Sequence, residues 1–297
     1  MRIVTRGDFD GLASSVFVSM CENVREIRFI HPKDAQDGRV IADADDIVIN
    51  LPYIKGCGLW FDHHTSEKES LPPEGEYKGR FEIAPSCARV IYNFYQDRFA
   101  DKFAPFMDLL EATDRLDSAT LSLEDVTTPS GWILLGLTLD PRSGLGPEFR
   151  KYFRWLVEYI KELPLEKVLA HPEVKRRTDR VLHEQEEFKD LLKKYSRQEG
   201  QVIVTDFREL VEKPVGNRFL VYTLYPSANV EMRIFHGFNG TVVIAVGHSI
   251  FNRTCKVNIG EMLKKFGGGG HAGAGTTQVP AAQAEAKIKE IFDILNA

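Results

Sequence analysis

Cysteine and long apolar runs are scarce in this sequence. Its four cysteines, Cys21, Cys57, Cys87 and Cys255, lie far apart and form no Cys-x-x-Cys pair. This spacing indicates neither a zinc knuckle nor a disulfide framework. No apolar run approaches about 18 residues, and no charged and then apolar leader opens the chain, so we expect neither a membrane span nor export. The expectation is a cytoplasmic protein without a membrane partner.

An excess of positive charge is also lacking. Lysine and arginine total 38, against 43 for aspartate and glutamate, which gives a net charge of −5. Proteins that track along long nucleic acid generally use an extended basic groove, so the acidic balance argues against that class of partner. If the substrate is anionic, the positive potential that attracts it must be local, from a metal ion, a few arginines or a set of backbone amides.

The length of 297 residues and the pattern of apolar residues both favour two domains. Strand-like runs alternate with helical segments in the first third of the chain, at 2–5, 26–30, 46–50 and 59–61. This alternation is typical of an α/β domain whose mostly parallel sheet is flanked by helices. Residues 83–198 have a mostly helical pattern.

After residue 200 the pattern changes to β-rich runs separated by glycine, proline and asparagine, at 201–205, 218–224, 230–235 and 241–246. A closing amphipathic helix follows at about 281–295. We interpret this part as a second, smaller α/β domain with a mixed sheet. The predicted organisation is therefore a first domain at 1–170, a helical linker at 171–199 and a second domain at 200–297.

Acidic and imidazole side chains follow two of the predicted strands. The motif Asp8-Phe9-Asp10-Gly11 comes directly after the first strand, and Asp62-His63-His64 comes directly after the fourth. Alone, an Asp-x-Asp turn is common and two adjacent histidines are as often an accident as a metal site. Open α/β sheets place ligands at the carboxyl ends of their strands, where both motifs lie. Carboxylate oxygen and imidazole nitrogen together suit Mn²⁺, Mg²⁺ or Zn²⁺.

Two further segments contain candidate residues. Asp114 and Asp117 lie at the end of a helical run, where a helix cap is the simpler interpretation of each. The run at 267–275 reads Gly-Gly-Gly-Gly-His-Ala-Gly-Ala-Gly. Glycine lets backbone amides turn toward an anion, and we favour an anion-facing loop over a flexible linker because the run lies inside an apolar pattern. Arg253, just upstream, is a candidate for a bidentate phosphate contact.

Together these motifs resemble those of the DHH phosphoesterase superfamily. The Asp8-x-Asp10 pair is similar to its first motif, the Asp62-His63-His64 triplet to its namesake motif, and Thr113-Asp114 to a later aspartate motif. The run from Gly267 to His271 resembles the GGGH signature of the DHH-associated C-terminal domain. In size and layout the chain is similar to the nanoRNase and adenosine-bisphosphate phosphatase group, whose members are often labelled exopolyphosphatase-related.

The resemblance implies a metal-dependent phosphoesterase with two domains around a cleft. Mn²⁺ or Mg²⁺ would bind to the first domain, and the second would hold a small anionic, phosphate-containing substrate. The residues that match the family's metal ligands are Asp8, Asp10, His63 and Asp114. Asp62 would orient or share the attacking water, and His64 would face the scissile phosphate. The distal end of the substrate would contact Arg253, Gly267, Gly268, Gly269, Gly270 and His271.

Two positions depart from the family pattern. A histidine usually precedes the Asp-x-Asp pair, but the stretch here reads Val-Thr-Arg-Gly with Arg6 in it, and Asn50 stands where an aspartate normally follows the third strand. An amide bridges two metal ions poorly, so Asn50 is at most a weak ligand or a residue that supports a ligand without binding metal. The guanidinium of Arg6 cannot bind a metal ion. We therefore predict one firmly bound ion and a second that binds weakly or not at all. Arg6, beside Asp8 or Asp62, would then supply part of the missing positive charge as a catalytic group.

Two functions are compatible with these motifs. The first is hydrolysis of a phosphoester or phosphoanhydride in a small nucleotide, a short oligonucleotide or polyphosphate, by a metal-activated water. The second is a nucleotide- or phosphate-binding protein with a degenerate site that no longer hydrolyses, which the residues at positions 6 and 50 suggest. We favour the hydrolase. The identity of the substrate, short RNA included, and a homodimeric state are not decided by the sequence.

Overall fold

The computed structural model describes residues 1–69, 71–73, 75–139, 145–212 and 214–297. The chain divides into two compact units: one consists of Met1–Thr120 and Pro129–Thr178, and the other of Leu121–Thr128 and Asp179–Ala297. The predicted α/β architecture, with one mostly parallel and one mixed sheet, is confirmed. Within the described residues, no helix combines the length and the apolar character that crossing a bilayer requires.

The first unit contains a five-stranded sheet in which all neighbouring strands are parallel. The strands are β1 (Arg2–Thr5), β2 (Glu26–Phe29), β3 (Asp46–Ile49), β4 (Leu59–Asp62) and β5 (Gly79–Phe81), in the order β2-β1-β3-β4-β5. Four of them match the predicted strands, and β5 is too short to show a pattern in the sequence. Val4, Val48 and Trp60 lie in register on adjacent strands. The chain therefore leaves β1, β3 and β4 at the same edge of the sheet.

Helices make up most of the chain between the strands of the first sheet and residue 195. They are α1 (Phe9–Cys21), α2 (Pro32–Gln36), α3 (Cys87–Phe103), α4 (Met107–Asp117), α5 (Leu123–Thr127), α6 (Gly131–Leu137), α7 (Pro147–Glu162), α8 (Leu165–Ala170) and α9 (Pro172–Tyr195). Of these, α5 and the part of α9 from Asp179 onward belong to the second unit. α1 packs against α3, α4 and α7, and α3 also packs against β4 and β5.

Apolar side chains bury both faces of the first sheet. Val4, Val48 and Trp60 belong to one buried cluster. Phe61, the next residue along β4, packs on the other face, with its ring centroid 5.2 Å from that of Phe94 in α3. Burial of both faces is typical of parallel sheets. The strands that end at the polar motifs are therefore held in place by close packing on both faces.

The second unit contains a six-stranded mixed sheet. Its strands are β6 (Ser196–Glu199), β7 (Val202–Asp206), β8 (Val230–His236), β9 (Thr241–His248), β10 (Gly269–His271) and β11 (Ala274–Pro280), in the order β10-β11-β9-β8-β7-β6. The β7–β8 pair is parallel, and the other pairs are antiparallel. The helices are α10 (Val221–Leu224), α11 (Ile259–Lys264) and α12 (Ala284–Leu295). Apolar residues of α11 and α12 form one buried cluster with those of the strands.

Two predicted elements differ from the structure. Residues 218–224, predicted as a strand, form a turn and the short helix α10, because a brief apolar run fits either element. The predicted helical linker corresponds to α9, but its last residues, 196–199, form strand β6. β6 pairs along its length with β7 across the turn at 200–201, and its polar sequence, Ser-Arg-Gln-Glu, has no alternation of apolar residues that would indicate a strand.

The glycine-rich segment, predicted as an anion-facing loop, forms one arm of a β-hairpin and the turn that follows it. The amides of Gly267 and Gly268 donate to the carbonyl oxygens of Lys264 and Leu263 at the end of α11. Gly269–His271 is the edge strand β10. Gly270 has a φ of 152°, and a Cβ there would lie 2.2 Å from the carbonyl oxygen of Ala274. Packing therefore requires glycine at position 270.

This packing predicts different stabilities for two neighbouring substitutions. Gly270→Ala should lower the free energy of unfolding by about 1–3 kcal/mol, because the backbone conformation disfavours an L side chain and the methyl group meets a backbone carbonyl. Gly269→Ala is the matched control, since its Cβ would meet nothing within 4 Å. Urea unfolding followed by circular dichroism measures both. Equal midpoints for the two variants would contradict this account of the hairpin.

Candidate metal and catalytic site

Polar side chains from three neighbouring strands meet at the carboxyl edge of the first sheet. Asp8 and Asp10 follow β1, Asn50 follows β3, and the Asp62-His63-His64 triplet ends β4. α1 begins immediately after β1 because Asp8 is its N-cap, accepting a hydrogen bond of 2.9 Å from the Gly11 amide. A Cβ at Gly11 would lie 2.3 Å from the carbonyl oxygen of Arg6, so glycine permits this abrupt start.

Asp10 is buried and held by the amino end of α3. Its Oδ2 accepts a hydrogen bond of 2.8 Å from the amide of Cys87, and its Oδ1 accepts one of 2.9 Å from the amide of Ala88. Burial raises the pKa of Asp10, while His63 and the two amides act in the opposite direction and favour the carboxylate. The positive end of the α3 dipole also favours an anion here. The orientation of Asp10 is therefore set by two elements, α1 and α3.

His63 presents its Nε2 to two carboxylates. Its Nδ1 lies 3.0 Å from the carbonyl oxygen of Ala84, which only accepts, so Nδ1 has the proton. Its Nε2 lies 3.6 Å from Asp10 Oδ2 and 3.3 Å from Asp117 Oδ2. This buried Nε2 has no hydrogen-bond partner. A buried imidazole nitrogen without a hydrogen-bond partner and two carboxylate oxygens are the ligand types that divalent metals take, so these residues fit a divalent metal ion.

Asp117 completes this group of three, which we call the metal triad: Asp10, His63 and Asp117. One ligand atom from each lies within 4.8 Å of the others. Asp117 is the last residue of α4, and its side chain is 27% exposed. Partial burial and the neighbouring carboxylates of Asp10 and Asp8 raise the pKa of Asp117 well above its usual range. Sequence reasoning missed Asp117 as a ligand because a helix cap explains an aspartate at a helix end equally well.

Asp62 and His64 form a hydrogen-bonded pair beside the metal triad. His64 Nδ1 lies 2.7 Å from Asp62 Oδ1, and its Nε2 lies 3.5 Å from Nη1 of Arg6. Because a guanidinium only donates, Nε2 is the acceptor and Nδ1 has the proton. Asp62 is fully buried, and its Oδ2 has no hydrogen-bond partner. This oxygen is therefore free to act as a further ligand, and His64, 29% exposed, is accessible from solvent.

Asp8 is engaged by protein donors on both oxygens. Its Oδ1 accepts from the Gly11 amide at 2.9 Å and from Asn50 Nδ2 at 3.0 Å, and its Oδ2 lies 2.5 Å from Nε of Arg6. Asn50 adopts a left-handed backbone conformation with a φ of 56°, which asparagine tolerates better than most residues. Arg6 thus lies against Asp8, one of the two neighbours that the sequence analysis named for it.

Asp114, which the resemblance assigns to the metal, lies apart from the metal triad. Its Oδ2 accepts hydrogen bonds from Nε and Nη2 of Arg89, at 2.9 and 2.5 Å. Its Oδ1 accepts one of 2.7 Å from the hydroxyl group of Ser86. Both carboxylate oxygens therefore have donors from α3 and its cap. The structure brings Asp117, one turn further along α4, to His63 in its place.

The predicted substrate-binding residues lie at one end of the second sheet. The loop that contains Arg253 follows β9, and the turn between β10 and β11 pairs with the same end of β9. Arg253 is exposed, and its Nε donates to the carbonyl oxygen of Ile250 at 3.1 Å. The loop is held by a hydrogen bond of 3.1 Å from Asn229 Nδ2 to the hydroxyl group of Thr254. The loop of Arg253 and the turn between β10 and β11 thus lie at the same end of the second sheet.

Comparison with known structures gives three informative similarities. The pGpG-specific phosphodiesterase PggH from Vibrio cholerae is 34% identical, with a TM-score of 0.87 over 99% of this chain and 98% of that one. The DHH domain of a member of the s1p family of ribosomal proteins is 12% identical, with a TM-score of 0.57 over 99% of this chain and 86% of that one. RecJ from Thermus thermophilus, solved with Mn²⁺, is 16% identical, with a TM-score of 0.50 over 96% of this chain and 50% of that one.

The last two similarities concern the fold alone, whereas the first extends to sequence over nearly the full length of both chains. No protein-family model matches the chain, and no curated protein does. The resemblance inferred from the Asp62-His63-His64 triplet and the glycine-histidine run is confirmed by these structures. The chain therefore belongs to the DHH phosphoesterase superfamily and is a metal-dependent phosphoesterase.

Proposed function

We propose that this chain hydrolyses the phosphodiester bond of a short, linear, 5′-phosphorylated dinucleotide, with pGpG as the first candidate. The observation that supports this substrate is the 34% identity to a pGpG-specific phosphodiesterase over 99% of the chain. A small anionic substrate also agrees with the net charge of −5, which disfavours long nucleic acid. The products would be two mononucleotides.

We infer that the metal triad holds one divalent ion, Mn²⁺ or Mg²⁺, through Asp10, His63 and Asp117. The unpartnered Oδ2 of Asp62 is available as a fourth ligand. A set that includes imidazole nitrogen favours Mn²⁺ over Mg²⁺, which prefers oxygen alone. The chemistry that such an ion supplies is the activation of water for attack and the neutralisation of charge on phosphoryl oxygens.

His64 is the proton-transfer group in this proposal. Asp62 Oδ1 lies 2.7 Å from its Nδ1 and orients the ring, so Nε2, which lies 3.5 Å from Nη1 of Arg6, is the nitrogen proposed to transfer the proton. Imidazole is suited to proton transfer near neutral pH, so Nε2 accepts the proton of the attacking water and later returns one to the leaving oxygen. Arg6, held by Asp8, places a permanent positive charge 3.5 Å from this nitrogen.

Substrate binding is assigned to the second unit. Arg253 is exposed at the same end of the second sheet as the turn between β10 and β11, and a guanidinium binds a terminal phosphate through paired hydrogen bonds. Gly267, Gly268, Gly269, Gly270 and His271 then line the path of the nucleotide, the role that the resemblance implies for them. In this proposal residues 1–170 contain the catalytic groups, and residues 200–297 contain the groups that bind the substrate.

The first test is a cleavage assay with Mn²⁺. Wild-type protein should convert pGpG to GMP at least about tenfold faster than it cleaves adenosine bisphosphate, polyphosphate or longer oligoribonucleotides. Asp117→Asn should lower turnover by orders of magnitude, because it removes a ligand charge from the metal triad. Asp108→Asn, which neutralises an exposed aspartate in the first turn of the same helix, is the matched control and should keep the wild-type rate.

Two results would contradict the proposal in different ways. Binding of pGpG without release of GMP, in the presence of Mn²⁺, would favour the degenerate binding protein over the hydrolase. Cleavage of pGpG at the wild-type rate by Asp117→Asn would retain the hydrolase but remove Asp117 from the ligands. The assay separates these outcomes because binding and product release are measured on the same samples.

The second test is a metal count. We expect one tightly held Mn²⁺ per chain in protein purified without chelator, because the guanidinium of Arg6 already neutralises Asp8. The double variant Arg6→His with Asn50→Asp supplies an imidazole and a second carboxylate there, and it should bind a second ion. Arg6→Lys with native Asn50 keeps the positive charge, so this variant should still bind one Mn²⁺ ion per chain. Two tightly bound ions in the wild-type protein would exclude this role for Arg6.

A further inference from the structure

Three polar residues join α3 to α4 next to the metal triad. The Arg89 guanidinium donates to Asp114 at 2.9 and 2.5 Å, and the Ser86 hydroxyl group donates to the same carboxylate at 2.7 Å. Ser86 is fully buried, and the side chains of Arg89 and Asp114 are 23% and 16% exposed. Arg89 also lies over the ring of Tyr92, 5.5 Å from its centroid. We call Ser86, Arg89 and Asp114 the α3–α4 clamp.

The clamp connects the amino end of α3, which holds Asp10, to the carboxyl end of α4, which contains Asp117. On α3, Ser86 is the N-cap residue, and the next two amides, of Cys87 and Ala88, hold Asp10. On α4, Asp117 follows Asp114 by three residues and so lies on the same side of the helix. Any rotation or fraying at the end of α4 therefore changes the distance between Asp10 and Asp117 unless Asp114 is held.

We propose that the α3–α4 clamp positions the metal triad, with Asp114 acting through Arg89 and Ser86 instead of binding metal itself. This inference rests on the metal site of the proposed function. Metal ligands need to be held to within about 0.5 Å, and groups that support them typically contribute about 10- to 100-fold in metal affinity. The last turn of a helix lacks intrahelical partners for its carbonyl groups and tends to fray. A charged anchor one turn before Asp117 offsets that tendency.

The hydrogen bonds of Asp114 argue against its being a ligand. Both of its oxygens already accept from donors, and two of the three donors belong to a cation. A metal ion that bound Asp114 would have to displace the Arg89 guanidinium, at the loss of charge-assisted bonds in a partly buried position. Asp10 and Asp117 accept no such bonds from an arginine or lysine within the described residues.

Mn²⁺ titration of the full-length protein, followed by calorimetry and by the electron paramagnetic resonance of Mn²⁺, tests the clamp. Arg89→Met and Asp114→Asn should each weaken Mn²⁺ binding by about 10- to 100-fold and leave its stoichiometry unchanged. The double variant should bind no more weakly than the weaker single variant, because both changes break one interaction. Arg89→Lys, which keeps the charge but not the two parallel bonds, should lie between wild type and Arg89→Met.

The opposite assignment gives a different pattern. If Asp114 were a ligand, Arg89→Met would free its carboxylate, so Mn²⁺ would bind as tightly as in the wild type or more tightly, and the clamp would be wrong. Because Arg89→Met removes a partly buried pair, Arg89→Lys serves as the measured variant if the methionine protein does not fold. Unchanged Mn²⁺ affinity in a folded Arg89→Lys and a folded Asp114→Asn would overturn the proposal equally.

A matched control separates positioning from general stability. Arg2 and the fully buried Asp46 form a comparable pair at the amino ends of β1 and β3, with bonds of 2.6 and 2.9 Å. Arg2→Met should lower the unfolding midpoint and keep the wild-type Mn²⁺ affinity. Asp10→Asn and Asp117→Asn test the metal site itself. If these two variants bind Mn²⁺ as tightly as the wild type, the proposed metal site is wrong. If they bind it more weakly, unchanged Mn²⁺ affinity in the Arg89 variants contradicts only the clamp.

Discussion

The amides at the amino end of α3 hold Asp10, and the rest of the site depends on this interaction. A buried carboxylate is costly unless donors surround it, and here the amides of Cys87 and Ala88 supply one bond to each oxygen. The bonds fix α1, which contains Asp10, against the start of α3. Because α1 begins directly after β1, they also fix both helices relative to the edge of the sheet where β4 delivers His63.

Arginine divides four of the five aspartates near this edge into two classes; the fifth, Asp62, pairs with His64. Asp8 pairs with Arg6 and Asp114 pairs with Arg89, each at 2.5 Å. Asp10 and Asp117 have no arginine partner within the described residues, and they face Nε2 of His63 instead. The carboxylates of Asp8 and Asp114 are thus balanced by arginines, whereas those of the metal triad are not. This distribution favours a single cation at one defined position.

The convergence of the motifs could be predicted from the sequence, whereas the identity of each ligand could not. Asp8, Asp10 and the Asp62-His63-His64 triplet follow strands of a parallel sheet, and the positions and ends of these strands follow from local pattern. The choice between Asp114 and Asp117 depends on the rotation of α4, which is set by Arg89, 25 residues earlier in the chain. Likewise, the glycine run folds as a hairpin because Gly270 packs against Ala274, a contact with no local signature.

The contact between Arg6 and Asp8 has consequences for the chemistry of the site. Arg6 stays protonated at all relevant pH values and cannot exchange with solvent, so the charge beside Asp8 is permanent. A guanidinium cannot activate water, however, and that task remains with the metal triad and with His64. Arg6 also lies 3.5 Å from His64 Nε2, so one guanidinium contacts both Asp8 and the imidazole of the Asp62–His64 pair. A change at Arg6 therefore alters the surroundings of both side chains at once.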